Sequence, residues 1–436
     1  MKSFRPYLGT PLYLGTLLAM TLTAGVAGAA DGDYLPARAL QDAGLMKYWQ
    51  LQLPLDRGQV VRDVYLVDEA LYVATQDGYV YALDAYTGVL RWLQPVTRSG
   101  YKVRRPTHLG DLVVFVTPVD IQTYDRRSGD GQSRHDLRYP PGSAIVTDGQ
   151  RLFVGGLDRR LYSLELPHLF YAWRVVTNGP ITSSPAVHGE NVYVATEAGG
   201  VYACTRADKR LVWQTSVFGP VSADLVVTED GVYVASRDQS LYLLFLETGE
   251  IRWRARFSGR LLEPPVVTPA VVFQYCEDDG LVAVENRVVG VEERLRWRLR
   301  EGRQALTVHE GTVYVLSRDA ELLAVREVNG EVAVRIPAPG FTLGAPAVAT
   351  STVFLASPDG QLFCARPRNL PPLKPEDIVN ALRPAAEPAT RPPPDSAPRT
   401  AGPALPGDPL RSDRRGAAIG GRSRISRGFG SGGESE

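Results

Sequence analysis

Cysteine is scarce in this sequence, and the three that occur are far apart. Cys204, Cys276 and Cys364 form no CxxC pair and show no spacing typical of a metal site. This argues against a fold held together by disulfides and against a cysteine-ligated zinc domain. Each cysteine is therefore expected to be a small buried residue within a strand.

An excess of either charge is also missing. Lysine and arginine total 48, and aspartate and glutamate also total 48, so the formal net charge is zero. No long-range field then attracts nucleic acid or an anionic membrane surface. The charge balance therefore argues against a generic polyanion binder.

Motifs that carry catalysis are absent as well. The sequence contains no GxSxG, no phosphate-binding loop, no HExxH and no EF-hand loop. The five histidines are scattered and are expected at strand edges or in turns: His108, His135, His168, His188 and His309. A binding protein is therefore favoured over an enzyme, with no catalytic residues and no metal site.

The first 29 residues have the pattern of a secretory signal peptide. Lys2 and Arg5 precede an apolar stretch from Leu12 to Val26, and Ala27-Gly28-Ala29 provides a small-residue cleavage site. The alternative is a membrane anchor, but the stretch is shorter than the ~20 strongly apolar residues of a span. No cysteine follows it, so no lipid anchor is predicted. The expected location is periplasmic or secreted.

The chain is organised by a repeat of about 40 residues. Short β-branched and aromatic runs recur, and their aromatic residues lie 38 to 43 positions apart: Tyr72, Phe115, Phe153, Tyr193, Tyr233, Phe273, Tyr314 and Phe354. Glycines recur upstream of these runs with nearly the same period: Gly58, Gly100, Gly142, Gly179, Gly219, Gly259, Gly302 and Gly340. Two residue types thus indicate eight units.

Each unit is predicted to contain four strands joined by turns. In the fourth unit these are residues 181–188, 191–196, 200–205 and 211–217, which are rich in Val, Tyr and Thr and separated by Gly, Asn or Asp. Four strands in about 40 residues form one propeller blade. The predicted fold is all-β, an eight-bladed β-propeller of four-stranded antiparallel blades.

The two ends of the repeat region predict how the ring closes. Trp49 lies in a segment similar to the fourth strands around Trp92 and Trp213, yet it precedes the first complete unit. The last unit stops after its third strand, at Cys364. An N-terminal strand is therefore expected to complete the last blade.

The predicted organisation has a lead-in at 30–46, the propeller at 47–366 and a disordered tail at 367–436. The tail contains 13 of the 33 prolines and a single aromatic, Phe429. One short helix is expected from Pro375 to Ala385, with Ile378, Ala381 and Leu382 forming a small apolar face.

One segment carries a recognisable repeat motif. Asp84, Thr87, Gly88 and Trp92 complete an Ala-x-Asp-x-x-Thr-Gly-x-x-x-Trp pattern, and Thr248, Gly249 and Trp253 keep most of it. The segment resembles the pyrroloquinoline-quinone-like (PQQ-like) β-propeller repeat. The Asp and Thr are expected to bond turn amides, the Gly to adopt a positive φ, and the Trp to pack between blades.

The resemblance has functional implications. Quinone-dependent dehydrogenases with this repeat hold PQQ on a calcium ion, whereas the shorter relatives are closer to this chain in size. In size and repeat count the chain is similar to the propeller lipoprotein of the outer-membrane β-barrel assembly machinery. No cofactor is predicted, and PQQ with Ca²⁺ remains the alternative.

Polar residues after the repeating glycines are the candidate binding site. The first strand of each blade should line the central channel, so the residues at its start should lie at the channel mouth. They are Arg62, Asp63, Lys102, Arg104, Arg105, Ser143, Ser183, Ser184, Asp224, Glu263, Arg303 and Gln304. The alternative is a water-filled funnel whose charges pair across blades. Asp224 and Glu263 are the carboxylates available for calcium.

Together these features favour a non-catalytic interaction scaffold of the bacterial cell envelope, with one or more envelope proteins as partners. A role in outer-membrane protein assembly follows from the resemblance. The alternatives are a PQQ- or metal-dependent oxidoreductase with its cofactor at the channel mouth, and a ligand- or carbohydrate-binding sensor.

Overall fold

The computed structural model describes residues 32–166, 168–287 and 294–382. The predicted signal peptide and the tail beyond residue 382 lie outside the described residues. Within the described part of the chain, no helix is both long enough and apolar enough to cross a bilayer.

The described residues form eight four-stranded antiparallel sheets, which confirms the predicted propeller. In seven blades the four strands follow one another along the chain, from the innermost to the outermost. Blade 1 comprises β2 (Val61–Val67), β3 (Ala70–Thr75), β4 (Tyr79–Asp84) and β5 (Leu90–Pro95), and blade 2 comprises β6 (Thr107–Leu109), β7 (Leu112–Val116), β8 (Asp120–Asp125) and β9 (Gly131–Asp136). Blade 3 comprises β10 (Pro141–Thr147), β11 (Arg151–Gly156), β12 (Arg160–Glu165) and β13 (Phe170–Val176), and blade 4 comprises β14 (Ala186–His188), β15 (Asn191–Ala195), β16 (Gly200–Thr205) and β17 (Leu211–Ser216).

Blades 5 to 7 continue the same order. Blade 5 comprises β18 (Val226–Thr228), β19 (Gly231–Ser236), β20 (Ser240–Leu244) and β21 (Ile251–Arg256). Blade 6 comprises β22 (Val266–Val267), β23 (Val271–Cys276), β24 (Gly280–Glu285) and β25 (Leu295–Leu299). Blade 7 comprises β26 (Gly302–His309), β27 (Thr312–Ser317), β28 (Glu321–Arg326) and β29 (Val332–Pro337).

Blade 8 closes the ring with a strand from the start of the chain. It comprises β30 (Leu343–Ala345), β31 (Val353–Ala356), β32 (Gln361–Pro367) and, outermost, β1 (Leu45–Gln52). Trp49 pairs with Cys364 in an antiparallel register. The predicted closure by an N-terminal strand is therefore confirmed.

The hydrophobic core lies in the seams between neighbouring blades. Between blades 1 and 2, for example, Tyr72 and Trp92 pack with Val103 and Phe115 in one buried cluster. The repeating aromatic of every second strand is buried, at 4% exposure or less. The three cysteines are free and buried within strands, as expected.

The helical elements lie before the first strand of the chain, within blade 8 and after its last strand. Helix α1 (Ala37–Asp42) lies in the predicted lead-in and buries Leu40 in the cluster that contains Ile336 of β29 and Phe363 of β32. A 3-10 turn spans Val348–Thr350, and α2 spans Pro375–Leu382, within the segment expected to be helical. Helix α1 was not predicted, because six residues carry too few turns of helical periodicity to recognise.

The first strand of blade 4 is shorter than predicted. In blade 4 the strand begins at Ala186 instead of Ile181. The N–H of Ile181 donates to Gly156 O of the preceding blade, at 3.1 Å, and Pro185 has no N–H to offer its own sheet. The linker entering the blade therefore ties it to its neighbour before the strand starts.

Candidate functional site

The repeat motif forms a hydrogen-bonded turn. The Oδ1 of Asp84 accepts hydrogen bonds from the N–H and from the Oγ1 of Thr87, both at 2.8 Å. Gly88 follows at φ +73°, in the left-handed region. In blade 5, Thr248 Oγ1 accepts from the N–H of Glu250 at 3.3 Å, and Gly249 has φ +70°.

The motif tryptophans join one blade to the next. Trp92 Nε1 donates to Arg126 O of blade 2 at 2.9 Å, and Trp49 Nε1 donates to Ala85 O of blade 1 at 3.1 Å. Gly88 lies directly on the Trp49 ring, where an added Cβ would fall 2.6 Å from Cδ2. Trp253 is buried at the seam between blades 5 and 6. These residues thus form turns and seams, away from the channel.

The candidate channel residues lie on two kinds of element. Arg62 and Asp63 are on β2, and Arg303 and Gln304 are on β26. The others precede a first strand or lie within β10: Lys102, Arg104, Arg105, Ser143, Ser183, Ser184, Asp224 and Glu263. Most of the site is therefore built from linkers, whereas strand residues were expected.

Ser143 and Ser183 are structural. Both are fully buried; Ser183 Oγ donates to Ala195 O at 3.1 Å, and Ser143 Oγ accepts from the N–H of Gly155 at 2.8 Å. Each hydroxyl is thus bonded within its own blade. The prediction that they line the channel mouth is wrong, because both small side chains turn into their own sheet, Ser143 from within β10 and Ser183 from the linker before β14.

Ion pairs connect neighbouring blades at the mouth. Lys102 Nζ lies 2.9 Å from Asp63 Oδ1, and Arg62 Nε lies 4.0 Å from Asp63 Oδ2. Arg303 holds both oxygens of Glu263, one of them at 2.6 Å, and stacks on Tyr275 with its Cζ 4.1 Å from the ring centroid. Blade 1 is thereby linked to blade 2, and blade 6 to blade 7.

Asp224 acts across the channel. Its Oδ1 accepts from the N–H of Ser184 at 2.7 Å, so blade 5 is bonded to blade 4. Burial lowers the pKa of Arg104, and the charge of Asp224 opposes that shift. Burial, with the charges of Asp63 and Asp224, also raises the pKa of Tyr65 above its usual range. Groups from blades 1, 2 and 5 therefore share one electrostatic environment.

The two blade 2 arginines reach the walls of the channel. Arg105 Nη2 donates to Leu66 O of blade 1 at 2.7 Å, and Arg104 Nη2 donates to Pro141 O of blade 3 at 3.4 Å. Each guanidinium keeps further donors available. These bonds tie the linker entering blade 2 to both neighbouring blades, whereas charges pair across blades in the Lys102–Asp63 and Arg303–Glu263 contacts.

A cavity of about 540 Å³ lies beside the mouth, between the linker entering blade 6 and the turn after β23. Its walls include Arg260, Leu262, Glu263, Tyr275 and Asp278. Sequence reasoning found only Glu263 among these. The sequence did mark Tyr275 as unusual, because the residue two positions after the repeating aromatic is alanine in units such as those of Ala195 and Ala235.

Exposed apolar side chains line the same face. Phe218 and Leu262 lie in the linkers entering blades 5 and 6 and are 81% and 55% exposed. Val119 and Leu157, in the turns between second and third strands of blades 2 and 3, are 60% and 47% exposed. We call this surface the mouth face. An exposed phenylalanine in a polar linker was the sequence signal that the motif search passed over.

The two carboxylates proposed for calcium do not fit such a site. Glu263 has both oxygens bonded to Arg303, and Asp224 is bonded to the Ser184 amide. Calcium takes six to eight oxygen ligands, typically several from carboxylates. Because the Arg303 guanidinium occupies both oxygens of Glu263, Asp224 and Glu263 do not form a calcium coordination shell with these side-chain positions.

Among the described residues, one group of three potential metal ligands occurs on the opposite face: Asp68, Glu69 and His108. His108 Nδ1 lies 2.7 Å from Asp68 Oδ2, and its Nε2 lies 2.7 Å from the Tyr72 hydroxyl. Burial lowers the pKa of His108. Both ring nitrogens are hydrogen-bonded, so the histidine is structural.

Comparison with known proteins identifies the family. A family model for PQQ-like repeats, described as outer membrane protein assembly factor BamB, matches residues 38–120, 119–246, 199–289 and 285–365. These spans include most of the chain. The chain belongs to this family.

Individual relatives are distant. The outer membrane protein assembly factor BamB of Legionella pneumophila (strain Paris) is 28% identical over 183 residues, which are 39% of this chain and 46% of that protein. The chain thus matches less than half the length of this curated relative.

Solved structures share the fold at still lower identity. BamB from Moraxella catarrhalis is 16% identical, with a TM-score of 0.58 over 74% of this chain and 99% of that one. The computationally designed Ika8 protein is 11% identical, with a TM-score of 0.59 over 73% of this chain and 99% of that one. A designed protein shares the fold, so the fold alone does not specify function.

Proposed function

We propose that this protein is a non-catalytic interaction scaffold of the bacterial cell envelope that acts in outer-membrane protein assembly and binds a protein partner through its mouth face. Membership of the BamB family supports the assembly role. The predicted signal peptide supports an envelope location, periplasmic or secreted.

The observation that carries the binding site is the exposure of Phe218. An aromatic side chain that is 81% exposed forfeits most of the free energy available from burial. Arg254 lies over its ring, with the Cζ 5.4 Å from the centroid. Aromatic residues and arginine are the residue types that dominate binding energy in protein interfaces.

The surroundings of Phe218 suit a protein partner better than a small molecule. Leu262 lies in the equivalent linker of the next blade and borders the 540 Å³ cavity. The apolar residues are spread over blades 2 to 6, so a large partner surface is needed to cover them. The ion pairs at the mouth lie at the rim of this surface. Charged groups at the rim of an interface orient an approaching partner.

Site-specific photocrosslinking in intact cells tests the proposal. A photoreactive amino acid at position 218 should capture a component of the outer-membrane protein assembly machinery. The matched control is position 328, where Val328 is 74% exposed at the tip of a turn between third and fourth strands, on the opposite face. Equal capture from both positions, or none from 218, would refute the proposed surface.

A double variant, Phe218→Ser with Leu262→Ser, provides an independent measurement. Loss of an interface hot spot costs about 2 kcal/mol or more, so recovery of the same partner should fall at least about 30-fold. Val328→Ser should leave recovery unchanged. The thermal midpoint of each variant should match the parent, since all three side chains are exposed.

A further inference from the structure

The chain continues beyond β32 along the face opposite the mouth. The Asn369 side chain contacts His309 Nε2 at 3.1 Å and Glu310 Oε1 at 3.0 Å, at the turn between the first two strands of blade 7. Helix α2 then lies beside β5 of blade 1. We call residues 368–382 the strap, because they cross from blade 7 to blade 1.

Two tyrosines and an arginine form the surface under the middle of the strap. The rings of Tyr48, on β1, and Tyr86, in the turn between β4 and β5, meet edge to face with their centroids 5.4 Å apart. Arg366 lies over both rings, with its Cζ 5.1 Å and 5.8 Å from the two centroids. Its Nη1 donates to the Tyr48 hydroxyl at 3.3 Å. We call these three residues the tyrosine platform.

The platform contacts a proline-rich part of the strap. The Tyr48 hydroxyl donates to the carbonyl of Pro371, and Leu373 packs on the core cluster that contains Tyr48. Residues 371–374 lie in neither helix nor strand. A proline offers a carbonyl acceptor and an apolar ring but no N–H. Aromatic surfaces with a hydroxyl donor therefore suit extended proline-rich segments.

Helix α2 holds the end of the strap on blade 1. Ala381 is buried, at 7% exposure, and its carbonyl accepts a hydrogen bond from Arg91 of β5. The carboxylate of Asp377 accepts from the N–H of Lys374 at 3.0 Å and so fixes the start of the helix. The strap thus has an anchor at each end, with the tyrosine platform between them.

Few buried groups hold the strap in place. Pro371, Pro372, Lys374 and Glu376 are exposed, and Ala381 is the one buried residue among the described side chains of α2. The strands of the blades are held by ladders of backbone hydrogen bonds, which residues 371–374 do not join. Segments with so few buried contacts open at low free-energy cost.

We propose that the tyrosine platform is a second binding site, separate from the mouth face, which takes an extended proline-rich segment of a partner protein. The strap occupies this site until the partner displaces it. The recognised features are those of Leu370–Leu373, a proline carbonyl for Tyr48 and an apolar side chain for the seam between blades 8 and 1. Because the strap is part of the same chain, its effective concentration at the platform is on the order of 1 mM.

A full-length variant with a detached strap tests the proposal. Leu373→Asp with Ala381→Asp removes two apolar contacts of the strap and leaves the platform and the blades unchanged. A fluorescent peptide of residues 368–382 should bind this variant with a Kd on the order of 10 to 100 µM. It should bind the parent about tenfold to a hundredfold more weakly, because the strap competes. No binding to the variant at about 1 mM, or equal affinity for both proteins, would overturn the proposal.

Hydrogen exchange verifies that the strap is detached. The amides of residues 376–382 should exchange faster in the double variant than in the parent, since α2 loses its contact with blade 1. Unchanged exchange would mean that the strap is not held on the propeller in the parent, which contradicts occupation of the platform by the strap.

Tyr48→Phe in the detached background tests the platform itself. Loss of the hydroxyl that bonds Pro371 should raise the Kd of the peptide by about threefold to tenfold. The matched control is Tyr79→Phe, at the other end of β4 from the Tyr86 turn, which should leave the Kd unchanged. Equal Kd values for the two variants would show that the peptide does not bind at Tyr48.

A second peptide tests the class of ligand. Replacing Pro371 and Pro372 by alanine in the peptide keeps both carbonyls but makes the free chain more flexible, so the Kd should rise by about fourfold to thirtyfold. Equal affinity of the two peptides for the detached variant would rule out selection of a proline-rich segment.

Discussion

Replacing Gly88 with alanine tests how the motif turn packs on the closing strand. Gly88 has φ +73°, and an added Cβ would lie 2.6 Å from Cδ2 and 2.9 Å from Cε3 of Trp49. A left-handed conformation costs alanine about 1 to 2 kcal/mol. Overpacking adds about 1 to 3 kcal/mol, because the ring must move and its bond to Ala85 O is strained. The free energy of unfolding should fall by about 2 to 5 kcal/mol.

Gly58→Ala is the matched control. Gly58 has φ +87°, but nothing lies within 4 Å of an added Cβ, so only the backbone cost of about 1 to 2 kcal/mol applies. Urea unfolding followed by tryptophan fluorescence measures both variants. In a Trp49→Ala background the cost of Gly88→Ala should shrink to that of Gly58→Ala. Equal costs for the two glycine variants in the parent background would refute the packing argument.

Three further predictions concern closure, pH and the blade 2 turn. Deleting Lys47 to Leu53 removes most of β1 and should lower the thermal midpoint of the whole ring; an unchanged midpoint would contradict closure by this strand. Burial lowers the pKa of His108 in the folded protein below the value near 6.5 expected in the unfolded chain. The stability that the neutral imidazole contributes is therefore present above pH ~6.5 and is lost as the pH falls toward the folded pKa. The thermal midpoint should therefore drop less steeply between about pH 7.5 and pH 5 in His108→Gln than in the parent, and identical slopes would exclude this source. Asp120 is fully buried, and its Oδ1 accepts hydrogen bonds from Thr117 Oγ1 at 2.5 Å and from Gln122 Nε2 at 2.9 Å. Asp120→Ala should therefore lower the free energy of unfolding, measured in urea, by about 2 kcal/mol. A decrease below about 0.5 kcal/mol would show that these hydrogen bonds contribute little to stability.

The fold was predictable because its determinants are local and repeated. A strand of β-branched and aromatic residues, followed by turn residues at a fixed spacing, encodes each blade without reference to the others. The motif tryptophan also marks outer strands, which is how Trp49 revealed the closing strand. Helix α1 escaped prediction because its packing against β29 depends on the ring already being closed.

The candidate site was predictable only in outline. The sequence places polar residues near the starts of first strands, but the direction of each side chain depends on the linker. Ser183 turns into its own blade, whereas Ser184, the next residue, offers its N–H to Asp224. The apolar residues of the mouth face were missed, since exposure is a property of the assembled surface.

The sequence by itself determined the number of blades and the strand that closes the ring, because period and motif are properties of the chain. Only the tertiary structure decided which charges meet. Glu263 and Arg303 are 40 residues apart and become partners because their blades are neighbours. Tertiary structure also decided which outer strands are covered. The lead-in and α2 fold back onto β1 and β5, and no local pattern encodes where a returning segment will lie.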